Sequence, residues 1–164
     1  MLIIVLSAFL VGAVIYDLIS HRLPNLYLLM GLLGGLLLQV WTAGGGGVMA
    51  FGSGLLAGCV LFIPFYVLGG MAAGDVKLMA TVGSFVGMQG AFWAGAYSLI
   101  AGGVLGVVYL IYKGCFSQFV TRYLAMAATR SRIAAEEGDA ARHRFPYAVA
   151  IAMGTLLSLY WTPI

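Results

Sequence analysis

Long apolar runs constrain this chain more than any other feature of its sequence. A helix needs about 20 mostly apolar residues to cross the hydrocarbon core of a bilayer. Six runs approach or reach that length: 2–19, 26–41, 48–70, 75–86, 91–112 and 145–161. Charged residues make up 8% of the chain, against about 25% in a typical soluble domain. The sequence therefore predicts an all-α, polytopic membrane protein of about six transmembrane helices that forms a single domain over residues 1–164.

The breaks between these runs predict the turns. Pro24 suits the first turn of the second helix, because the amide hydrogen that proline lacks would have no intrahelical partner there. The glycine tract 44–47 is expected to form a flexible turn. Pro64 should kink the third helix or be absorbed by its neighbours. The small-residue segment 69–74 is expected to separate the third helix from the fourth.

The basic residues predict the orientation in the membrane, because Lys and Arg concentrate in cytoplasmic loops. With six crossings and the amino terminus outside, the cytoplasmic segments are 20–25, about 70–77, and 113–144. All eight basic residues then lie in those segments: Arg22, Lys77, Lys113, Arg122, Arg130, Arg132, Arg142 and Arg144. Both termini are therefore predicted to lie outside the cytoplasm.

The predicted cytoplasmic loop 113–144 contains an amphipathic pattern. Its apolar face consists of Phe116, Phe119, Val120, Tyr123, Leu124 and Ala127, and Gln118, Thr121 and Arg122 lie opposite. This pattern predicts a helix on the cytoplasmic leaflet, where the basic residues would favour anionic lipid. A membrane tether is the simpler interpretation, and a specific clamp on a substrate is the alternative.

Asp17 and Asp75 are the two acids that lie at the edges of apolar runs. An acid at membrane depth costs about 2.5–3.5 kcal/mol on insertion scales, so such a residue is usually functional or paired. The predicted topology puts both near the cytoplasmic surface at about the same depth. Two adjacent carboxyls share a proton, so one acts as an acid while the other acts as a base. We therefore predict an aspartyl-protease pair.

Other interpretations of the polar residues remain open. A proton-coupled transporter would also place acids in the membrane, although no chain of polar residues continues across the bilayer from Asp17 and Asp75. A non-catalytic assembly scaffold is a further alternative. His21 and His143 are expected to be solvated loop residues. Cys59 and Cys115 do not form a C-x-x-C pair, which excludes a local zinc knuckle.

The residues before Asp75 are small. Ala72, Ala73 and Gly74 would leave the backbone uncovered, so an extended substrate could approach it closely. Gly74 can also adopt a positive φ. A simple turn between two helices explains the same residues equally well.

Three motifs in this chain resemble those of the prepilin peptidases, also called type IV leader peptidases. The first is Tyr16-Asp17 followed by His-Arg-Leu-Pro-Asn at 21–25. The second is the segment 69–80, and the third is Phe-Pro-Tyr-Ala-Val-Ala at 145–150. The three motifs occur in the family order and span most of the chain.

The resemblance implies a six-helix intramembrane aspartyl protease of the Gly-x-Gly-Asp type, with Asp17 and Asp75 as the catalytic pair. Ala72 stands where the family has the first glycine of its second motif. The neighbouring motif residues, which would flank the substrate, are Ala72, Gly74, Lys77, Pro24 and Asn25. The implied activity is removal of the short basic leader of prepilins or pseudopilins at the cytoplasmic face of the bacterial inner membrane. Neither a metal, an organic cofactor nor a nucleic acid is expected.

The first cytoplasmic loop is only about six residues long and has no C-x-x-C pair. Larger family members carry a cysteine-rich zinc segment and also N-methylate the new amino terminus. The chain therefore resembles the short form that serves Flp-type, tight-adherence pili, and we expect peptidase activity without methyltransferase activity.

Overall fold

The computed structural model is entirely helical over the residues that it describes, which are 1–20, 23–112, 114 and 147–161, apart from short turns. The helices are α1 (Leu2–Ser20), α2 (Asn25–Ala43), α3 (Gly45–Val67), α4 (Ala73–Tyr112) and α5 (Tyr147–Trp161). The first four are long and apolar enough to cross a membrane, whereas α5 is a shorter apolar helix. The chain is a multi-pass membrane protein, and the predicted all-α class is confirmed.

Helix α4 reverses direction at Gly87, which has φ 75° and ψ −179°. A Cβ atom built on Gly83 would lie 3.1 Å from the Cβ of Ala91. Residues eight apart on a straight helix are separated by about 12 Å, so the two arms of α4 fold back on each other around Gly87. The first arm is 73–86, and the second begins at residue 88. The described residues therefore form six helical segments, in agreement with the predicted number of about six.

The glycine tract between α2 and α3 differs from the prediction. Only Gly44, with φ 56°, lies outside the helices, and α3 begins at Gly45. A Cβ on Gly47 would overlap the carbonyl oxygen of Gln39. The later part of the tract is helical because it lets α3 approach the end of α2, and the turn itself needs a single glycine.

Pro64 lies within α3, which continues to Val67. The amide of Leu68 donates to the carbonyl of Pro64. A proline in the last turn of a helix removes one backbone hydrogen bond, and the rest of the helix stays regular.

The first arm of α4 lies at the centre of the bundle. A Cβ on Gly54 of α3 would overlap the backbone of Gly83, and a Cβ on Gly58 would meet the carbonyl oxygen of Met79 at 2.5 Å. Small residues permit this close approach of backbones in a membrane. Half of the largest fully buried apolar side chains belong to this arm, and the other half join them in one core cluster: Leu78, Met79, Val82 and Phe85 from the arm, with Leu6, Leu10, Phe62 and Ile151 from other helices. Asp75 therefore begins the most buried segment of the chain.

The chain divides into two compact units, residues 1–102 with 146–164, and residues 103–145. The first unit contains α1, α2, α3, most of α4 and α5. In the second, the structure describes the end of α4 and Gly114. The predicted amphipathic helix, His21, Arg22, Cys115 and His143 lie outside the described residues. The single-domain assignment stays a prediction.

Candidate active site

Asp17 and Asp75 line one open cavity of about 140 Å³. Asp17 lies near the end of α1 and is 9% exposed, and Asp75 lies in the first turn of α4 and is 7% exposed. The remaining lining residues are Leu23, Asn25, Ala72, Gly74 and Lys77. The structure thus brings together both predicted acids and four of the five predicted neighbours. Pro24 is not among the lining residues and immediately precedes α2.

The start of α4 orients Asp75. Its Oδ2 accepts a hydrogen bond of 3.0 Å from the amide of Ala72, and its own amide donates to the carbonyl of Ala72 at 3.1 Å. An acid in the third helical position that reaches back to the residue before the helix is one half of a capping box. Asp75 therefore caps the start of α4 and also lines the cavity.

Gly74 does not use the conformational freedom that the sequence suggested. It lies within α4, and the positive φ in this region belongs to Gly69, at 79°. A Cβ on Gly74 would lie 3.9 Å from Leu23, which is an ordinary contact. Because Gly74 has no side chain, it leaves space in the cavity. The turn before α4 is made earlier, at Gly69.

The start of α5 holds Asp17. The amide of Ala148 donates to Oδ2 of Asp17 at 3.3 Å in a buried hydrogen bond. Sequence analysis identified 145–150 as a motif but did not connect it with Asp17. The available signal was depth, because the last helix begins on the same predicted side of the membrane as α1 ends.

Each carboxyl thus accepts from backbone at the start of a helix, Asp75 at α4 and Asp17 at α5. The positive end of a helix dipole stabilises negative charge. Asp75 also interacts electrostatically with Asp17 and with Tyr147. A pair of buried carboxyls in one cavity can hold one proton and one negative charge between them, and the two helix starts favour that charge.

Lys77 lies at the exposed rim of the cavity. Its Nζ donates to Oδ1 of Asn25 at 3.0 Å, which joins α4 to the start of α2. Among the lining residues that the structure describes, Lys77 is the one cation. The bond is solvent-exposed, so it contributes little to stability.

A family model described as the type IV leader peptidase family matches residues 4–111. The chain belongs to the type IV leader peptidase family. A search of curated proteins and a search of solved structures each find no match. The family match confirms the resemblance seen in the sequence, and it identifies the chain as a membrane peptidase, hence a hydrolase. The matched range includes both aspartates, whereas α5 lies beyond it.

Metal ligands are not grouped in the described part of this leader peptidase. Within it, no three His, Cys, Asp or Glu side chains come together as a metal site. Cys59 lies half-buried in α3 as a free thiol. That the peptidase needs neither metal nor cofactor stays a prediction.

Proposed function

We propose that this leader peptidase removes the short basic leader of Flp-type prepilins or pseudopilins at the cytoplasmic face of the bacterial inner membrane. We propose Asp17 and Asp75 as its catalytic residues. One observation carries the proposal: these two buried acids, far apart in sequence, line the same cavity. Family membership supplies the reaction class.

The proposed chemistry uses one water and the shared proton of the pair. The ionised aspartate takes a proton from the water, whose oxygen attacks the scissile carbonyl. The protonated aspartate gives its proton to the carbonyl oxygen, and a neutral gem-diol forms. The proton then held by the first aspartate goes to the leaving amine as the C–N bond breaks, and the gem-diol returns a proton to the pair. General acid and base steps of this kind each contribute about 10²–10⁴-fold.

The cavity suits a substrate segment that has left its helix. A helical peptide bond hides its carbonyl in the hydrogen-bond ladder, so the substrate must unwind locally before water attacks. Glycine at the cleavage point would ease unwinding by about 1 kcal/mol relative to alanine. At Ala72 and Gly74 the cavity wall carries a single methyl group or no side chain. This leaves room for an extended strand beside the aspartates.

The proposed membrane side follows from charge. A prepilin leader is basic and stays in the cytoplasm by the same charge preference that orients this peptidase. Lys77 at the cavity rim lies in a predicted cytoplasmic segment. Anionic lipid at 113–144 remains a proposed partner on that side.

Cleavage of prepilin by the purified protein tests the function. The protein in nanodiscs is incubated with a full-length prepilin from the same genome, and leader loss is followed by gel shift and mass spectrometry. We expect cleavage at the glycine that ends the leader. A protein that binds prepilin and leaves it intact would instead be a scaffold, and the proposal would be wrong.

A further inference from the structure

We propose that the first turn of α5 positions Asp17, with Tyr147 as the positioning residue and the Ala148 amide as the group that it aligns. This inference rests on the proposed catalytic role of Asp17. It assigns a function to a helix that lies outside the range matched by the family model.

The Ala148 amide can donate a hydrogen bond to Asp17 without breaking a hydrogen bond within α5. The first amides of a helix have no intrahelical partner, and Ala148 is the second residue of α5. Ala148 is fully buried, and its amide donates to the Asp17 carboxyl at 3.3 Å. Since α1 packs against α5, the carboxyl meets a donor that the rigid start of a helix holds in place.

Tyr147 determines where that helix start lies. Its ring meets Phe62 of α3 edge-on, with centroids 6.2 Å apart and an interplanar angle of 79°. The far side of the ring occupies a notch at Gly102, where a Cβ atom would overlap the ring and its hydroxyl. Contacts with α3 and α4 therefore set the position of Tyr147, and through it the position of the next amide along the chain.

Two kinetic expectations follow. A displacement of about 1 Å at a catalytic group can lower the rate by about 10²-fold. The amide contacts the Asp17 carboxyl and has no proposed contact with the substrate, so its loss should change KM little.

An ester substitution removes the amide alone. Ala148 is replaced by the corresponding α-hydroxy acid, and the same replacement at Val149 is the control. We expect kcat to fall at least tenfold at Ala148 with KM within twofold, and wild-type values at Val149. Equal kinetics for the two esters would overturn the proposal.

The notch is tested by Gly102→Ala, with Gly103→Ala as its matched control. A Cβ on Gly103 would have no described atom within 4 Å, so only the first change displaces Tyr147. We expect a kcat loss of about tenfold for Gly102→Ala and none for the control. Should Gly102→Ala fail to fold, Tyr147→Leu, which removes the ring without a clash, is expected to show the same loss of kcat at unchanged KM. A Tyr147→Leu enzyme with wild-type kcat would contradict the role of Tyr147.

Amide hydrogen exchange separates this inference from the proposed function. In the wild type we expect the Ala148 amide to exchange slowly, and in Asp17→Ala at least tenfold faster, with the Val149 amide unchanged. If prepilin is not cleaved but this dependence is found, the proposed function alone fails. If prepilin is cleaved and the Ala148 amide is insensitive to Asp17→Ala, the inference alone fails.

Discussion

At the scale of single residues, backbone amides hold the two aspartates. Asp75 accepts from Ala72 and Asp17 from Ala148, so the position of each carboxyl depends on where a helix begins. A charged hydrogen bond contributes more than a neutral one, at about 1.5–3 kcal/mol. This arrangement keeps two acids apart from the lipid and directs them into a common cavity.

The aspartates themselves provide the first prediction. Asp17→Asn and Asp75→Asn should each lower prepilin cleavage by at least about 10³-fold, because an amide can neither take nor give the proton that the pair transfers. Leader loss is measured with purified protein, and membrane insertion is checked by size-exclusion chromatography. Asp139→Asn, in the predicted cytoplasmic loop, serves as a control and should cleave normally. Full activity of either active-site variant would exclude the pair as the catalyst.

Gly74 provides the second prediction. Gly74→Ala should keep most activity, because its Cβ would lie 3.9 Å from Leu23, and Ala72→Gly should be tolerated at an exposed position. Gly74→Leu should lower kcat/KM by at least tenfold because the longer side chain fills the cavity beside Asp75. The three variants are compared in the same nanodisc assay. Wild-type cleavage by folded Gly74→Leu would show that substrate does not use this wall.

At the scale of elements, the reversal within α4 sets the depth of Asp75. Gly87 supplies the left-handed backbone conformation, and the amide side chain of Gln39 donates to the carbonyl of Phe85 at 2.7 Å. That carbonyl lies just before the reversal at Gly87, where the backbone amide that would bond to it in a regular helix is lost. The first arm is thus closed at its far end by α2, while Asp75 caps its other end.

Gly87 provides the third prediction. Gly87→Ala should destabilise the protein by about 1–3 kcal/mol, since a positive φ combined with ψ near 180° is a backbone conformation that essentially only glycine adopts. Gly103→Ala, in a helical conformation with open space around its Cβ, should be neutral or stabilising by up to about 1 kcal/mol. Unfolding of both variants is followed by circular dichroism in detergent. Equal stability of Gly87→Ala and the wild type would mean that the reversal has another origin.

At the scale of the whole molecule, the segment count and the charge distribution together predict the orientation in the membrane. Six helical segments place both termini on one side of the membrane if each segment crosses it. The eight basic residues then all lie on the other side. The cavity with Asp17 and Asp75 is predicted to lie on that side, so under the proposed function the orientation would also determine which end of a substrate is cut.

Orientation provides the fourth prediction. After Cys59 and Cys115 are replaced, Ala135→Cys should react with an impermeant thiol reagent only from the cytoplasmic side. Gly45→Cys, at the start of α3 with open space around it, should react only from outside. Labelling in inverted vesicles and in right-side-out vesicles shows which side of the membrane each position faces. Reaction of position 135 from outside would reverse the assignment.

The short first cytoplasmic segment provides the fifth prediction. With about six residues and no C-x-x-C pair there, we expect no methyl transfer from S-adenosylmethionine to the cleaved pilin. Mass spectrometry of pilin processed by this peptidase alone should show an unmodified amino terminus. A mass increase of one methyl group, dependent on S-adenosylmethionine, would refute it.

The sequence alone predicted the all-α class and about six segments, which the structure confirms, and a common depth for Asp17 and Asp75, which agrees with their shared cavity. These follow from hydrophobicity and charge, which act on each segment separately and can be read along one dimension. The sequence also predicted a turn at 44–47 and a break between 86 and 91, and the structure places these breaks at Gly44 and Gly87. The motifs identified the family, which the family model then confirmed.

Only the tertiary structure decided which helices are neighbours. Hydrophobicity assigns a depth to each helix but no lateral position, because lipid and apolar side chains are equally favourable surroundings. The contact between Ala148 and Asp17, the notch at Gly102 and the helical glycines of the 44–47 tract depend on close packing of particular backbones. Packing of this kind depends on how well the two helix surfaces fit at the point of contact. That fit cannot be read from the order of apolar and polar residues.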